Sequence, residues 1–254
     1  MIVDTHIHLY SKEYNADRNA LIEKAIASGI KKFYLPSIDS EYIEAMLEVE
    51  KQFPHNCFAM MGLHPCSVNA SVQQELNIIK EWLDKRPFAA IGEIGLDLYW
   101  DKTFFEEQKQ AFKTQIQWAL DHNYPIVIHC REAFEETYEV LKSFRKLPKA
   151  IFHCFSGNTE QANKIIALGN FKLGIGGVLT FKNSGLDKVI NEISLEHFVL
   201  ETDGPYLAPV PFRGKRNEPG YILEVAKKMA EIKETSIDEI ARITTKNAEF
   251  IFNN

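Results

Sequence analysis

Eight short apolar or β-branched runs punctuate the chain at intervals of about 20–40 residues: Ile2–Thr5, Lys32–Pro36, Phe58–Gly62, Ala89–Ile94, Ile126–His129, Ala150–His153, Phe171–Gly176 and Phe198–Thr202. Most lack the alternation of apolar and polar positions that marks a half-exposed strand, so they read as strands buried on both faces. Segments of helical periodicity separate and follow them: Arg18–Ser28, Glu41–Gln52, Val72–Leu83, Glu106–Asn123, Ala133–Phe144, Glu160–Leu168, Leu186–Glu192, Glu218–Ile232 and Ile237–Phe252. Ser40, Ser71, Thr103, Thr159, Ser184 and Ser236 stand where N-caps are wanted, and Ser28-Gly29 and Leu168-Gly169 supply glycine stops. No low-complexity or Pro/Ser-rich linker breaks the series. Eight successive βα units predict an α/β domain over 1–254, either a closed (β/α)8 TIM barrel or a doubly wound open sheet, and periodicity alone does not separate the two.

Composition narrows the class. A chain of 254 residues, 45% hydrophobic and 25% charged, can bury a sizeable core, which excludes disorder, collagen and coiled coil. Thirty-five acidic against 29 basic residues give a net charge of −6, so any polyanion site must be local. Cys57, Cys66, Cys130 and Cys154 form no Cys-x-x-Cys pair, and reduced thiols are the default reading. The opening Met-Ile-Val-Asp-Thr-His carries no basic n-region, and no apolar stretch approaches the ~18 residues of a membrane span. A cytoplasmic protein with no membrane association is the expectation, and nothing points to an obligate protein partner.

The metal-capable residues fall in a pattern. Asp4, His6 and His8 lie at i, i+2 and i+4 on or just past the first run, a period of two that predicts one shared side. Glu93, His129 and His153 lie at the ends of the fourth, fifth and sixth runs, and Asp203 follows the eighth. All are C-terminal strand ends, where barrel enzymes place their active sites, and imidazoles mixed with carboxylates suit Zn²⁺ or a related divalent ion. One His-x-His is weak evidence, because paired histidines on a strand are more often surface or hydrogen-bonded core residues; several candidates at matching rim positions outweigh that reading. Four histidines and two carboxylates can satisfy two metals if one carboxylate bridges. Asp4, one pleat deeper, is expected to orient an imidazole, and Asp97 and Glu201 to give rim hydrogen bonds. Cys130 and Cys154 are expected to point outward under the helices, while His55, His122 and His197 fall at the opposite end.

A local basic cluster accompanies the candidate ligands. Arg131 lies two residues past His129, and Arg213, Lys215, Arg216 and Asn217 occupy the loop after the eighth run. A short charge run is ordinarily a solvated face, but here it can close over the metals and hold an anionic substrate such as a phosphate. His64, in Gly62-Leu63-His64-Pro65, reaches the same rim and can hydrogen-bond substrate, and Lys182 is a further candidate contact. Tyr99, Trp100, Tyr206 and Phe212 can stack a base, although ordinary loop packing is the favoured reading for them.

Asp4-Thr5-His6-x-His8-Leu9, Gly62-Leu63-His64-Pro65, Gly92-Glu93-Ile94-Gly95-Leu96-Asp97, His129-Cys130-Arg131, His153-Cys154-Phe155-Ser156-Gly157, Glu201-Thr202-Asp203-x-Pro205-Tyr206 and Arg213-Gly214-Lys215-Arg216-Asn217-Glu218-Pro219 together resemble the TatD family of metal-dependent hydrolases in the amidohydrolase superfamily. The resemblance implies the closed barrel and a binuclear site of divalent ions, Zn²⁺, Mg²⁺ or Mn²⁺. His6, His8, Glu93 and Asp203 would hold one ion and Glu93, His129 and His153 the other, with Glu93 as the bridge. It further implies metal-dependent DNase activity with 3′-5′ exonuclease character, acting on DNA ends or a small phosphodiester through a water activated between the ions, with Asp203 and Glu93 catalytic. The same chemistry would serve a hydrolase of a small phosphate ester, amide or lactone, and a non-catalytic metal-binding barrel is the third alternative.

Overall fold

The computed structural model describes residues 1–252, so the last two positions of the expected domain, 253 and 254, lie outside the described residues. Eight parallel strands alternate with helices: β1 (Ile2–Asp4), β2 (Ile30–Leu35), β3 (Cys57–Ala59), β4 (Ile91–Asp97), β5 (Ile126–Arg131), β6 (Ala150–Phe152), β7 (Phe171–Ile175) and β8 (Phe198–Leu200). The helices are α1 (Arg18–Ala27), α2 (Ile43–Gln52), α3 (Val72–Lys85), α4 (Phe105–His122), α5 (Phe134–Lys142), α6 (Thr159–Ala167), α7 (Leu186–Glu192), α8 (Ile222–Ile232) and α9 (Ile237–Phe252). Each strand pairs with its sequence neighbour in two arcs, β1 to β3 and β4 to β8. A parallel bridge between Met61 and Ile91 joins the arcs on one side, and Thr5 N–H donating to the Leu200 carbonyl joins them on the other. The sheet therefore closes into the TIM barrel, and the open-sheet alternative falls away.

Two apolar layers hold the barrel. Val3, Tyr34, Met60, Val127, Ile151 and Val199 fill its interior, where the end of α9 plugs the base and Phe252 stacks on Tyr34 at 3.6 Å. Outward strand residues such as Phe33, Phe171 and Phe198 pack beneath the helices and are wholly buried. That double burial explains why the strands read as continuous apolar runs.

Several element ends differ from expectation. Asn158 and not Thr159 caps α6, in a reciprocal capping box with Gln161, and Asp39 takes the role expected of Ser40. Phe104, and not Thr103, stands at the N-cap of α4, and Ser71 stands at the N-cap of α3 without a capping bond, its hydroxyl donating to Asn69 instead. Ser184 and Ser236 do accept backbone N–H groups at their helix starts. Gly29 and Gly169, at φ +98° and +123°, terminate α1 and α6 as expected. The segment from Glu218 begins with a 3₁₀ turn, Pro219–Tyr221, before α8.

Candidate metal centre

Local backbone irregularities aim the polar residues into the mouth of the barrel. β1 stops at Asp4 and the chain bends at Thr5, so the period of two does not carry Asp4 to the side of His6 and His8. Asp4 instead accepts the Thr202 N–H at 3.0 Å, the Thr202 hydroxyl at 2.6 Å and the His6 N–H at 3.2 Å, locking the end of β1 to the segment after β8. It orients backbone where an imidazole was expected. Burial pushes its carboxyl up to about 8 against these donors. In β4, the register with β5 gains one residue between Ile91 and Ile94, and Glu93 sits in this bulge with its N–H donating to the Ser37 carbonyl. A bulge re-aims a side chain, which is how a residue well inside β4 reaches the rim. Asp203 adopts φ +58°, a left-handed conformation that aspartate tolerates, with its N–H on the His6 carbonyl.

The donor atoms converge on Glu93. Its Oε2 lies 3.2 Å from His6 Nε2 and 3.9 Å from His8 Nε2. Asp203 Oδ1 is 3.8 Å and 3.6 Å from the same nitrogens, which are themselves 3.3 Å apart. The other carboxylate oxygen, Oε1, lies 2.8 Å from His129 Nδ1, 3.7 Å from His153 Nε2 and 3.4 Å from His64 Nε2. Tetrahedral ligands at about 2.0–2.2 Å from Zn²⁺ sit about 3.3–3.6 Å from one another, and the first group, at 3.2–3.9 Å, lies close to that spacing. Two facing imidazole nitrogens cannot both donate, and His6 Nδ1 is buried without a hydrogen-bond partner. Such a donor set suits a cation, and this cluster can hold metal ions.

Groups behind the rings decide which nitrogens face the centre. Tyr10 donates its hydroxyl proton to the Pro36 carbonyl at 2.5 Å, so its lone pair accepts from His8 Nδ1 at 2.7 Å and leaves Nε2 unprotonated. Asp97 Oδ2 accepts from His129 Nε2 at 2.8 Å, setting the ring so that Nδ1 faces Glu93 Oε1. Glu201 Oε1 lies 3.0 Å from His153 Nδ1, though without the alignment of a hydrogen bond, and accepts the Cys154 N–H. These are the carboxylate and phenol partners that metal-ligating histidines use. His64 is different: its Nδ1 accepts the Cys66 N–H at 3.0 Å, so the neutral ring carries its proton on Nε2 and presents a donor. Burial holds the His64 pKa low, consistent with that neutral ring.

Burial alone would raise the carboxyl of Glu93, but His64, His6 and His153 together with a hydrogen bond from His129 hold it well below the usual range. Asp203 behaves likewise, through His153, His8 and His6. Burial would lower His153, but Glu201, Glu93 and Asp203 raise it to about 10. A dense carboxylate field surrounds the imidazoles.

The expected substrate contacts divide. Arg131 is exposed on the rim, its guanidinium carbon 3.7 Å from the Tyr99 ring centre and 5.4 Å from that of Trp100, and both rings are solvent-accessible. Arg213 lies over Phe181 at 4.2 Å, and Arg213 and Lys215 are exposed. Arg216 and Asn217 are committed elsewhere. Arg216 donates to both Asp17 oxygens, to Glu218 and to the Glu13 carbonyl. Asn217 is wholly buried, its amide donating to the Thr202 and Tyr206 carbonyls, so it braces the Asp203 loop from beneath. Cys130 packs under α5 as expected, but Cys154, at φ +46°, turns toward His153 and Glu201. His55 and His197 lie in helix-to-strand connections and His122 is the last residue of α4, all away from the cluster, and Phe212 stacks on Tyr221. Tyr10 carried no signal in the sequence; only its fold-given contact with His8 marks it.

A family model described as TatD related DNase matches residues 3–253. The chain is 39% identical over 254 residues to YabD of Bacillus subtilis (strain 168), named an uncharacterized metal-dependent hydrolase, covering 99% of each chain. It is 29% identical over 259 residues to the 3′-5′ ssDNA/RNA exonuclease TatD of Pantoea ananatis (strain LMG 20103), covering 98% of each. The fold matches the crystal structure of YjjV, a TatD homolog from Escherichia coli K12, with a TM-score of 0.93 and 30% identity over 100% of this chain and 98% of that one.

Proposed function

The chain belongs to the TatD related DNase family of metal-dependent hydrolases, and on that premise we propose that it hydrolyses phosphodiester bonds at DNA ends, removing nucleotides from the 3′ end. The observation that carries this reading is the division of Glu93, whose Oε2 faces His6 and His8 while Oε1 faces His129 and His153. His6, His8, Glu93 and Asp203 would hold one divalent ion, and Glu93, His129 and His153 a second. Such a pair, of Zn²⁺, Mg²⁺ or Mn²⁺, would polarise the phosphoryl oxygen and lower the pKa of the attacking water.

The side chains supply the rest. Asp203, held ionised by the neighbouring imidazoles, is the carboxylate placed to accept the proton of the attacking water. His64 Nε2–H is the neutral donor for the substrate or leaving oxygen. Arg131 anchors a phosphate beside the exposed Tyr99 and Trp100 rings, on which an unpaired base can stack, and Arg213 and Lys215 follow the strand on the other flank.

A labelled single-stranded DNA oligonucleotide, incubated with metal-stripped protein to which Mg²⁺, Mn²⁺ or Zn²⁺ is restored, tests the reading. Shortening from the 3′ end is expected, falling by about 10²–10⁴-fold in Asp203→Asn and at least as much in Glu93→Ala. No shortening with any metal, or activity that survives both substitutions, overturns it.

A further inference from the structure

Beside the metal centre, the loops after β5 and β6 enclose a half-open cleft of about 430 Å³ that reaches His153. That is ample for a small planar ligand, since such sites run from about 300 Å³ upward. Its walls combine the rings of Phe134, Phe152 and Phe155 with the carboxylates of Glu132 and Glu136. Glu135 also lines it but pairs with Lys164 at 3.3 Å, whereas Glu132 and Glu136 pair with no cation among the described residues. His153 is the one basic side chain of the lining. A phosphate would meet repulsion here. The complementary ligand is flat and apolar on its faces and carries N–H donors on its edge.

Resting on the phosphodiesterase reading, we infer that this cleft receives the base of the terminal nucleotide and favours bases rich in Watson–Crick donors, guanine above thymine. Because His153 belongs both to the cleft and to the metal cluster, a base in the cleft is contiguous with a phosphate at the cluster. Guanine turns two adjacent N–H groups, N1 and N2, toward one carboxylate. Cytosine and adenine offer a single exocyclic amine. Thymine offers one N–H flanked by two carbonyl oxygens, whose lone pairs oppose the glutamates. The partly exposed ring of Phe134, with Phe152 and Phe155 buried behind it, gives every base a stacking surface, so it supplies affinity while Glu132 and Glu136 supply the choice.

Calorimetric titration of the metal-loaded protein with dGMP, dCMP, dTMP and inorganic phosphate tests this. One additional charge-assisted hydrogen bond predicts dGMP binding about 10-fold tighter than dTMP. Combining Glu132→Ala with Glu136→Ala, both changes at solvent-accessible positions, should bring the two within about 2-fold. Equal wild-type affinities for dGMP and dTMP, nucleotides that bind no better than inorganic phosphate, or discrimination that persists in the double variant would each overturn the inference. Strand shortening is read separately. Discrimination without hydrolysis of any oligonucleotide would remove the nuclease reading and leave the cleft, while hydrolysis with no discrimination would remove the cleft and leave the nuclease.

Discussion

At the scale of single residues, the state of each imidazole is fixed from behind its ring, and that makes the candidate ligands unequal. His8 depends on Tyr10, whose hydroxyl is itself tied to the Pro36 carbonyl. Tyr10→Phe removes the acceptor that keeps the proton on Nδ1, and loss of such a partner typically costs about 10–100-fold in metal affinity. Competition against a chromophoric chelator would show this fall, and unchanged affinity would free His8 from any dependence on Tyr10. His153 gives a pH prediction. Glu201, Glu93 and Asp203 raise its pKa to about 10, so at pH 7.5 the same carboxylates that attract a cation hold a proton on its ring. A ligating imidazole is neutral, so cation and proton compete: each unit of pH below 10 should weaken metal binding by about 10-fold, with one proton released from His153 per cation bound. Titrations in buffers of different ionisation enthalpy count that proton, and zero net release would contradict the prediction.

At the scale of elements, the strands place the candidate ligands only because their backbones approach closely at chosen points. Gly95 of β4 lies opposite His129 of β5 with φ +146°, and a Cβ there would stand 1.9 Å from the His129 carbonyl oxygen. Gly29 also has a positive φ, +98°, but open space around it. The pair separates conformational strain from collision. Gly29→Ala should cost about 1–2 kcal/mol, the penalty for a left-handed L-residue, whereas Gly95→Ala must also part β4 from β5 and should cost about 3 kcal/mol or more, with loss of metal binding. Urea midpoints of the two variants give the comparison, and equal losses would deny the collision. The pattern of apolar runs makes the strands legible but not their irregularities. The bulge that carries Glu93 and the bend that separates Asp4 from His6 depend on pairings with β5, Ser37 and Thr202, and no period in the local sequence encodes those. The period of two ends with β1 at Asp4, so its carboxylate meets Thr202 and the His6 N–H and not an imidazole.

At the scale of the whole molecule, closure brings Thr5 to Leu200 across almost the entire chain, which is why spacing alone left barrel and open sheet unresolved while the joint motif order favoured the barrel. The convergence of the candidate ligands on one rim was legible because alternating βα units return every strand end to one face. The basic residues were less so, since charge in a sequence says nothing of its neutralisation in space. Arg216 belongs by sequence to a basic loop, yet Asp17 and Glu218 consume its charge, and Arg216 in turn holds the Asp17 carboxyl below its usual range. Arg131, Arg213 and Lys215 are the exposed cations proposed to meet the phosphates, on a protein of net charge −6. Counterion release scales with the number of phosphates neutralised, by about 0.7 per contact for a single strand, so three contacts predict a slope near −2 for log affinity against log salt. Binding of a labelled oligonucleotide to the Asp203→Asn variant, followed from low to moderate salt, measures it without turnover. Arg216→Ala should leave the slope unaltered because that guanidinium is already paired, while Arg131→Ala should flatten it by about 0.7. A slope that shifts equally for both would mean that the Asp17 ion pair opens to meet the strand, and that the acidic flank takes part in binding.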